Sequence, residues 1–472
     1  MNLTAAPNSL FFQILCQHRN SPFRKNLVGF QGVLFLSYTI FLYLTSKTRI
    51  FSCCFPCILR AAFPSLFIKT IVIYFLIKIF NRKLLDFISY FFYSYFVRKM
   101  RLSLNPPLSF ANIKQKERFD MEIKKDLPEI FNEFGEMRKK SFMAAYEMKQ
   151  KNIPFVGTFC TYFPQELAMA MGACVVGLCS TSDETIPDAE RDLPRNLCPL
   201  IKSSYGFAKT DKCPYFYFSD LIVGETTCDG KKKMYEYLGE FKPVYTMELP
   251  NSQSPIALEL WKKEIIKLKE KLESQFETTI TEESIREQVK IMNRVRRALK
   301  EFYALCKQEP VPMLGQDLFK ILYGSTFKFD KKNLSGEIHA LTEKIQKEYE
   351  ENPNKYPKAP RILVTGCPIG GGAEKCIKAI EDNGGHVVCF ENCSGAKSCD
   401  REVDENNPDI YEAIAERYLS IGCSVMTPNP NRLELLDRLI DEYRIDAVVE
   451  VTLQACHTYN VETLGIKRFV NE

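Results

Sequence analysis

Residues 361–372 read RILVTGCPIGGG, and residues 373–391 continue as AEKCIKAIEDNGGHVVCFE. The first five residues have the apolar character of a buried strand, and the glycines that follow mark a turn. Apolar residues then recur at helical spacing before a second apolar run begins at His386. Because strand, turn, helix and strand in this order are typical of a parallel sheet with crossover helices, the segment predicts an α/β domain.

The same alternation occurs earlier in the chain and predicts a first α/β unit. Its elements are predicted as strands at 153–158, 173–179 and 215–221 and a helix at 164–171. Charged amphipathic helices at 256–276 and 282–306 indicate a helical connector between the two units. The predicted boundaries are a hydrophobic extension at 1–120, an α/β unit at 121–254, the connector at 255–359 and a second α/β unit at 360–472.

The first 120 residues differ in composition from the rest of the 472-residue chain. They hold 16 Lys and Arg against 3 Asp and Glu, whereas the remaining residues hold 47 against 55. The acidic remainder argues against a nucleic-acid partner, because binding to phosphates needs excess positive charge. Two apolar stretches at 27–46 and 62–80 approach the length of a membrane helix. A membrane anchor with membrane contact is therefore one interpretation of the extension.

A second interpretation of the extension is translated noncoding DNA, which has a similar composition rich in Phe, Ile, Leu, Lys and Asn. Lys69 and Lys78 interrupt the second apolar stretch, and an ordinary soluble sequence opens at Met121. We therefore expect translation to begin at Met121 and the protein to be cytoplasmic. At the other end, the chain stops after a helix that should lead into another strand, so we expect the second α/β unit to be truncated at Glu472.

Fourteen of the 18 cysteines lie beyond residue 120, and several stand in loop-like contexts after predicted strands. Ligands bind to open α/β sheets at the carboxyl ends of the strands. Thiolates gathered there suit iron–sulfur clusters, which prefer cysteine ligands. The absence of a C-x-x-C pair after Met121 argues against zinc ribbons and thioredoxin-like motifs. The candidate metal ligands are Cys160, Cys198, Cys228, Cys367, Cys393 and Cys456.

A buried structural thiol is the alternative interpretation for any single cysteine, because free cysteine behaves as a small hydrophobic residue. This alternative fits best the cysteines that fall on predicted helix or strand faces. They are Cys174, Cys306, Cys376 and Cys389.

The glycine-rich turn after the first strand of residues 361–391 is a candidate binding loop. Gly366, Gly370 and Gly371 let the backbone approach a ligand closely. However, Pro368 stands where the dinucleotide-binding pattern G-x-G-x-x-G needs glycine, which argues against a nicotinamide cofactor. The turn instead presents the thiol of Cys367.

Three polar positions are further candidates for catalysis or binding. His457, beside Cys456, is a candidate proton donor, with a structural histidine as the alternative. Glu166 is a candidate general acid or base, and a first-turn charge favoured by the helix dipole is the alternative. The run Lys231-Lys232-Lys233 is interpreted as a solvated helix start rather than as a site for an anionic substrate.

At these motifs the chain resembles the 2-hydroxyacyl-CoA dehydratase D-component superfamily. Within it, the chain is most similar to the branch of anaerobic reductases that contain a double-cubane cluster. The resemblance covers Met121 to Glu472 and implies two Rossmann-like parallel-sheet domains that face each other across a cleft. The segments that carry it include GTFCTYFPQE (157–166), LCPLIKSSYG (197–206), GETTCDGKKK (224–233), TGCPIGG (365–371) and QACHTY (454–459).

The resemblance also implies a cofactor and partners. In the double-cubane branch, six thiolates hold an [8Fe-9S] cluster, and the six candidate ligands supply three from each domain, with Cys179, Cys213 and Cys423 in reserve. An ATP-hydrolysing iron–sulfur activator would deliver electrons to a homodimer that reduces a small molecule. The alternative is a subunit of a 2-hydroxyacyl-CoA dehydratase heterodimer with one [4Fe-4S] cluster, which eliminates water from an acyl-CoA through a ketyl radical. A third hypothesis is a binding protein without catalysis.

Overall fold

The computed structural model describes the backbone of strand β1 (Cys16–His18) and residues 136–370 and 374–472. The chain divides into two compact units, and all described residues belong to the unit formed by 1–21 and 129–472. The predictions for the rest of the extension, for residues 121–135 and for Gly371 lie outside the described residues. The described part is an α/β fold with two sheets, as predicted.

The first sheet contains four parallel strands in the order β3-β2-β4-β5. Every residue of β2 and β4 is buried, because helices cover both faces of the sheet centre. The strands are β2 (Phe155–Thr158), β3 (Cys174–Gly177), β4 (Leu221–Glu225) and β5 (Val244–Met247). The helices of this lobe are α1 (Glu136–Gln150), α2 (Gln165–Ala170), α3 (Ile186–Ala189), α4 (Pro199–Lys209), α5 (Pro214–Phe218) and α6 (Asp229–Leu238).

Four helices form the connector, namely α7 (Pro255–Phe276), α8 (Glu282–Ala304), α9 (Gly315–Ser325) and α10 (Lys331–Glu351). The first two begin where the sequence provides N-caps. The Ser254 hydroxyl accepts a hydrogen bond from the backbone N–H of Ala257, and the Thr281 hydroxyl accepts one from Ser284. The fully buried Trp261 of α7 packs in the same core as β2 and α13 (Ile410–Leu419). The connector is therefore part of the core of both lobes.

The second sheet has the order β1-β8-β6-β7, with β1 antiparallel to its neighbour and the other strands parallel. Its core strand β6 is buried along its whole length. The further strands are β6 (Arg361–Gly366), β7 (His386–Phe390) and β8 (Ala447–Val451). The further helices are α11 (Glu374–Asp382), α12 (Ala396–Cys399), α14 (Pro430–Glu442) and α15 (His457–Asn471).

Most predicted elements are confirmed, but the strand predicted at 215–221 is wrong. Residues Pro214–Phe218 form helix α5, and the strand β4 begins only at Leu221. Pro214 occupies the first helical position, where the N–H that proline lacks would have no partner within the helix. This signal for a helix start outweighs the preference of the aromatic residues that follow for a strand. Among the helices of the described ranges, none combines the length and apolar character that a membrane crossing requires.

Candidate functional site

A first group of thiols contains cysteines from both lobes. Cys198 comes from the first lobe, whereas Cys367 follows β6 and Cys456 precedes α15 in the second lobe. Hydrogen bonds from the thiols of Cys198 and Cys367 lower the pKa of Cys456 to about 3. The backbone N–H of Leu453 donates to the Cys367 sulfur at 3.4 Å. Cys456 therefore interacts with two other predicted ligands, one from each lobe.

A second group of thiols surrounds Lys231. Its ammonium nitrogen lies 2.9 Å from the sulfur of Cys160 and 3.6 Å from that of Cys179. The hydrogen bond from Cys160 and the charge of Lys231 together outweigh burial and lower the pKa of Cys179 to about 6. Cys393 and Cys423 of the second lobe are near enough to Cys160 to interact with it electrostatically. This group also contains residues of both lobes.

The predicted ligand Cys228 lies near both groups. Burial raises the pKa of its thiol, and this thiol interacts electrostatically with Cys160 of the second group and Cys456 of the first. The reserve candidate Cys213 is different, because its surroundings are Tyr215 and Phe216 of α5. The structure therefore brings all six predicted ligands near one another, adds Cys179 and Cys423, and does not add Cys213.

Among the cysteines of residues 136–370 and 374–472, four share one local placement, because each is the N-cap residue of a helix. Backbone N–H groups of the first helical turn act to lower the pKa of these thiols. The Cys456 thiol and burial nevertheless raise the pKa of Cys198 overall, and burial raises that of Cys213 and Cys228. Two of the four are followed by proline at the first helical position. The N-cap cysteines are Cys198 before α4, Cys213 before α5, Cys228 before α6 and Cys456 before α15.

Both thiol groups consist of the type of donor that iron–sulfur clusters take. Within residues 136–370 and 374–472, no three His, Cys, Asp or Glu side chains form a site for a metal ion. In the first group, Cys456 interacts with both Cys198 and Cys367. Iron–sulfur clusters take thiolates that approach from several directions, and here strand ends and helix starts of two lobes supply them.

The prediction of a solvated helix start is wrong for Lys231, which is only 6% exposed. Its side chain also lies over the ring of Phe159, with the nitrogen 5.1 Å from the ring centroid. A sequence signal exists, because Lys231 shares the helical spacing of the buried residues Met234, Tyr235 and Leu238 of α6. Lys232 and Lys233, by contrast, form ion pairs at partly exposed positions.

A buried lysine also stands near the cysteines of the second lobe. The ammonium of Lys397 lies 2.9 Å from a carboxylate oxygen of Glu391 and donates to the Tyr459 hydroxyl at 3.3 Å. That hydroxyl lies 3.9 Å from the sulfur of Cys423. Lys397 therefore provides a positive charge behind Cys423 and Cys393, as Lys231 does beside Cys160.

The candidate acid or base Glu166 lies in a buried ion pair. Its side chain is fully buried, and its carboxylate lies 2.6 Å from a guanidinium nitrogen of Arg296 and 2.7 Å from the Tyr418 hydroxyl that donates to it. Burial opposes ionisation, but the charge of Arg296 outweighs it and keeps the pKa of Glu166 below its ordinary value. The other candidate, His457, is exposed at the first position of α15.

The predicted binding glycines are tightly packed. Gly366 has a positive φ of 109°, and a Cβ there would lie 2.2 Å from the carbonyl oxygen of Val451. A Cβ at Gly370 would lie 2.6 Å from the hydroxyl of Thr181 in the first lobe. These glycines therefore permit close approach of β6 to β8 and of one lobe to the other.

A cavity of about 200 Å³ opens beside the second thiol group. Both lobes contribute to its wall, with Cys160 and Cys179 from the first and Cys393 from the second. Helices of the connector close another side. A cavity that adjoins thiols and lies between domains is the usual place for a small ligand.

The chain is similar to known proteins of one family. The model of the family described as 2-hydroxyglutaryl-CoA dehydratase, D-component, matches residues 160–472. The chain is 55% identical over 353 residues, which are 75% of its length and 92% of the relative, to the Escherichia coli (strain K12) protein named "Putative dehydratase subunit YjiM". It is 22% identical over 336 residues, 69% of its length and 86% of the relative, to the (R)-phenyllactyl-CoA dehydratase beta subunit of Clostridium sporogenes. The predicted resemblance to the dehydratase D-component superfamily is confirmed, and the chain belongs to the 2-hydroxyglutaryl-CoA dehydratase D-component family.

Proposed function

We propose that the chain is the iron–sulfur component of an anaerobic reductase that works at low potential and depends on ATP through a separate activator protein. The observation that supports this proposal is the convergence of thiols from both lobes into two neighbouring groups. Two groups suit a double-cubane [8Fe-9S] cluster, because each cubane needs its own set of thiolates. When bound, the cluster would supply one-electron chemistry for the reduction of a small molecule.

The proposed ligands divide between the two groups. Cys198, Cys367 and Cys456 would hold one cubane, and Cys160, Cys228 and Cys393 the other. Cys179 and Cys423 lie beside the second set and are alternative ligands there. Lys231 and Lys397 place positive charge near that set, which offsets the negative charge of thiolates and cluster in a buried site.

The proposed partners follow from the family. Both relatives are named as dehydratase subunits, which supports a chain that works with other protein components. We propose that one partner is an ATP-hydrolysing iron–sulfur activator, and that two copies of the chain form a homodimer. The 14 cysteines of the described ranges are free thiols, which fits a reducing cytoplasm.

The second candidate function is a dehydratase subunit with a single [4Fe-4S] cluster. The names of both relatives favour it, and the first thiol group alone offers three mutually close ligands. In this case, the chain would pair with a related subunit and remove water from a 2-hydroxyacyl-CoA. The second thiol group and its cavity would then face the substrate rather than a second cubane.

Iron and sulfide quantitation with EPR spectroscopy tests the two candidates. We expect about eight irons per anaerobically purified chain for the double-cubane protein and about four for the dehydratase subunit. In the first case, replacement of Cys160 by Ser removes roughly half of the iron, whereas in the second it leaves the iron content unchanged. A chain that holds no iron after anaerobic reconstitution would overturn both candidates and favour a binding protein without catalysis.

A further inference from the structure

The connector contributes apolar side chains to the wall of the cavity. They come from α8, α9 and α10 and include Val295, Leu299, Leu322 and Leu334. With a volume of about 200 Å³, the cavity is smaller than the roughly 300 Å³ at which pockets for drug-sized molecules begin. It therefore suits a ligand of a few carbon atoms with an apolar body.

Lys331 brings a positive charge to this cavity at the start of α10. The residue is 8% exposed, and its ammonium donates to the backbone oxygen of Ser325 at 3.2 Å. Within the described ranges, no carboxylate forms an ion pair with Lys331. Burial without a counter-charge lowers the pKa of the ammonium to about 8. Buried charges are normally paired, so this charge is costly unless an anion occupies the cavity.

Arg417 of α13 is a second cation of the cavity wall. Its guanidinium is buried and donates to the backbone oxygens of Arg401 and Ser398, and no described carboxylate forms an ion pair with it. Lys231 also lines the cavity, and its neighbours are the thiols. Arg296 also lines the cavity but is paired with Glu166. Among the described residues, Lys331 and Arg417 are therefore the lining cations that form neither an ion pair with a carboxylate nor a hydrogen bond with a thiol, and most of the remaining wall is apolar.

We propose that this cavity binds a small organic carboxylate, whose charged end pairs with Lys331 and whose short apolar body packs against α8, α9 and α10. The inference deepens the proposed function and rests on it, because the bound molecule would lie beside the second thiol group and be the substrate. Lys331 acts here as a specificity-determining residue. The buried ammonium of Lys331 destabilises the protein without ligand, and its function would be to favour binding of an anionic ligand.

Calorimetric titration of the full, anaerobically purified chain tests this site with three probes. Isovalerate carries the charge and the apolar body, isovaleramide is its neutral isostere, and inorganic phosphate is an anion without the body. We expect isovalerate to bind about tenfold more tightly than either of the other two. Equal binding of the amide would overturn the role of the charge, and equal binding of phosphate would overturn the role of the apolar wall.

Two variants and a matched control locate the site. Lys331→Met is expected to weaken isovalerate binding about tenfold, whereas Lys332→Met at the exposed neighbouring position leaves it unchanged. Leu299→Phe reduces the space in the apolar part of the cavity. We expect this variant to exclude isovalerate but still to bind acetate, which has a smaller apolar body. Unchanged isovalerate affinity in both site variants would overturn the proposal.

Iron content, measured on the same samples, separates this inference from the proposed function. A chain that holds iron but shows no preference for isovalerate would contradict the carboxylate site alone. A chain that binds isovalerate through Lys331 but holds no iron would contradict the proposed cluster and keep the site.

Discussion

The ammonium of Lys231 lies between two thiols, 2.9 Å from the sulfur of Cys160 and 3.6 Å from that of Cys179. Lys231 belongs to α6, which begins after Cys228, so one short segment delivers both a thiol and a cation to the site. A cation beside thiols favours their thiolate forms. The same contact therefore couples the position of α6 to the charge state of the second thiol group.

Lys231→Met removes this positive charge. We expect the midpoint potential of the reconstituted protein to fall by about 60 mV, which corresponds to a tenfold change in a one-electron equilibrium. The reason is that an added electron is less stable without the nearby cation. A redox titration followed by EPR measures the potential. Lys232→Met, at the next position in an exposed ion pair with Asp229, is the control and should leave the potential unchanged.

Cys367→Ser tests the first thiol group. Cys367 is fully buried and its sulfur contacts Cys456, so the variant is expected to lose the iron held by that group. Cys389→Ser is the control, because Cys389 is equally buried in β7 but lies in the core of the second sheet. Iron and sulfide analysis distinguishes them. Equal iron in both variants would contradict the assignment of Cys367 as a ligand.

Glu166→Gln leaves Arg296 buried without its counter-charge, and we expect the free energy of unfolding to fall by about 3 kcal/mol. The folded pKa of Glu166 lies below its ordinary value of 4.5. Its contribution to stability is therefore present above pH 4.5 and is lost as the pH falls through the folded pKa. Urea unfolding at several pH values measures both effects.

Glu184→Gln is the matched control for Glu166, because its partner Arg138 lies at the same distance of 2.6 Å in a partly exposed ion pair. This variant should lower the free energy of unfolding by less than about 1 kcal/mol. If Glu166→Gln abolished turnover while stability and iron content stayed unchanged, a catalytic role for Glu166 would replace the structural one.

Gly366→Ala is expected to destabilise the fold by about 1–3 kcal/mol, because alanine is strained at a positive φ and its Cβ would collide with Val451. Gly465→Ala in α15 is the control. No atom lies within 4 Å of a Cβ at that position, so alanine should stabilise the helix by about 0.5–1 kcal/mol. Thermal unfolding compares the two variants, and an unchanged midpoint for Gly366→Ala would refute the packing argument.

Lys331 gives the unfolding free energy a characteristic pH dependence. Its pKa is about 8 in the folded chain and returns to 10.5 on unfolding, so the unfolded chain binds more protons between these values. Deprotonation of Lys331 therefore raises the free energy of unfolding by about 3 kcal/mol in total as the pH rises from about 8 to about 10.5. Lys331→Met should lack this rise and be more stable below pH 8, whereas Lys332→Met should keep it. Denaturant unfolding of the wild-type protein and both variants, below pH 8 and above pH 10.5, measures this difference in free energy.

The amino-acid pattern predicted much of the fold, because hydrophobic periodicity and caps act over a few residues. The helices at 256–276 and 282–306 are confirmed within a few residues, and Ile410–Leu419 is one helix in the structure. The strand predicted at 215–221 failed because aromatic residues suit both a strand and a short buried helix. The short edge strand β5 was not predicted, since only part of it is buried.

The sequence by itself determined which residue types are available for chemistry, namely cysteines at strand ends and helix starts and a glycine turn without a dinucleotide pattern. Only the tertiary structure decided which of them meet. It placed Cys198 against Cys456, buried Lys231 between two thiols, and engaged Glu166 with Arg296. The physical reason is that these contacts join residues 52 or more positions apart, and no local pattern encodes which distant residues meet.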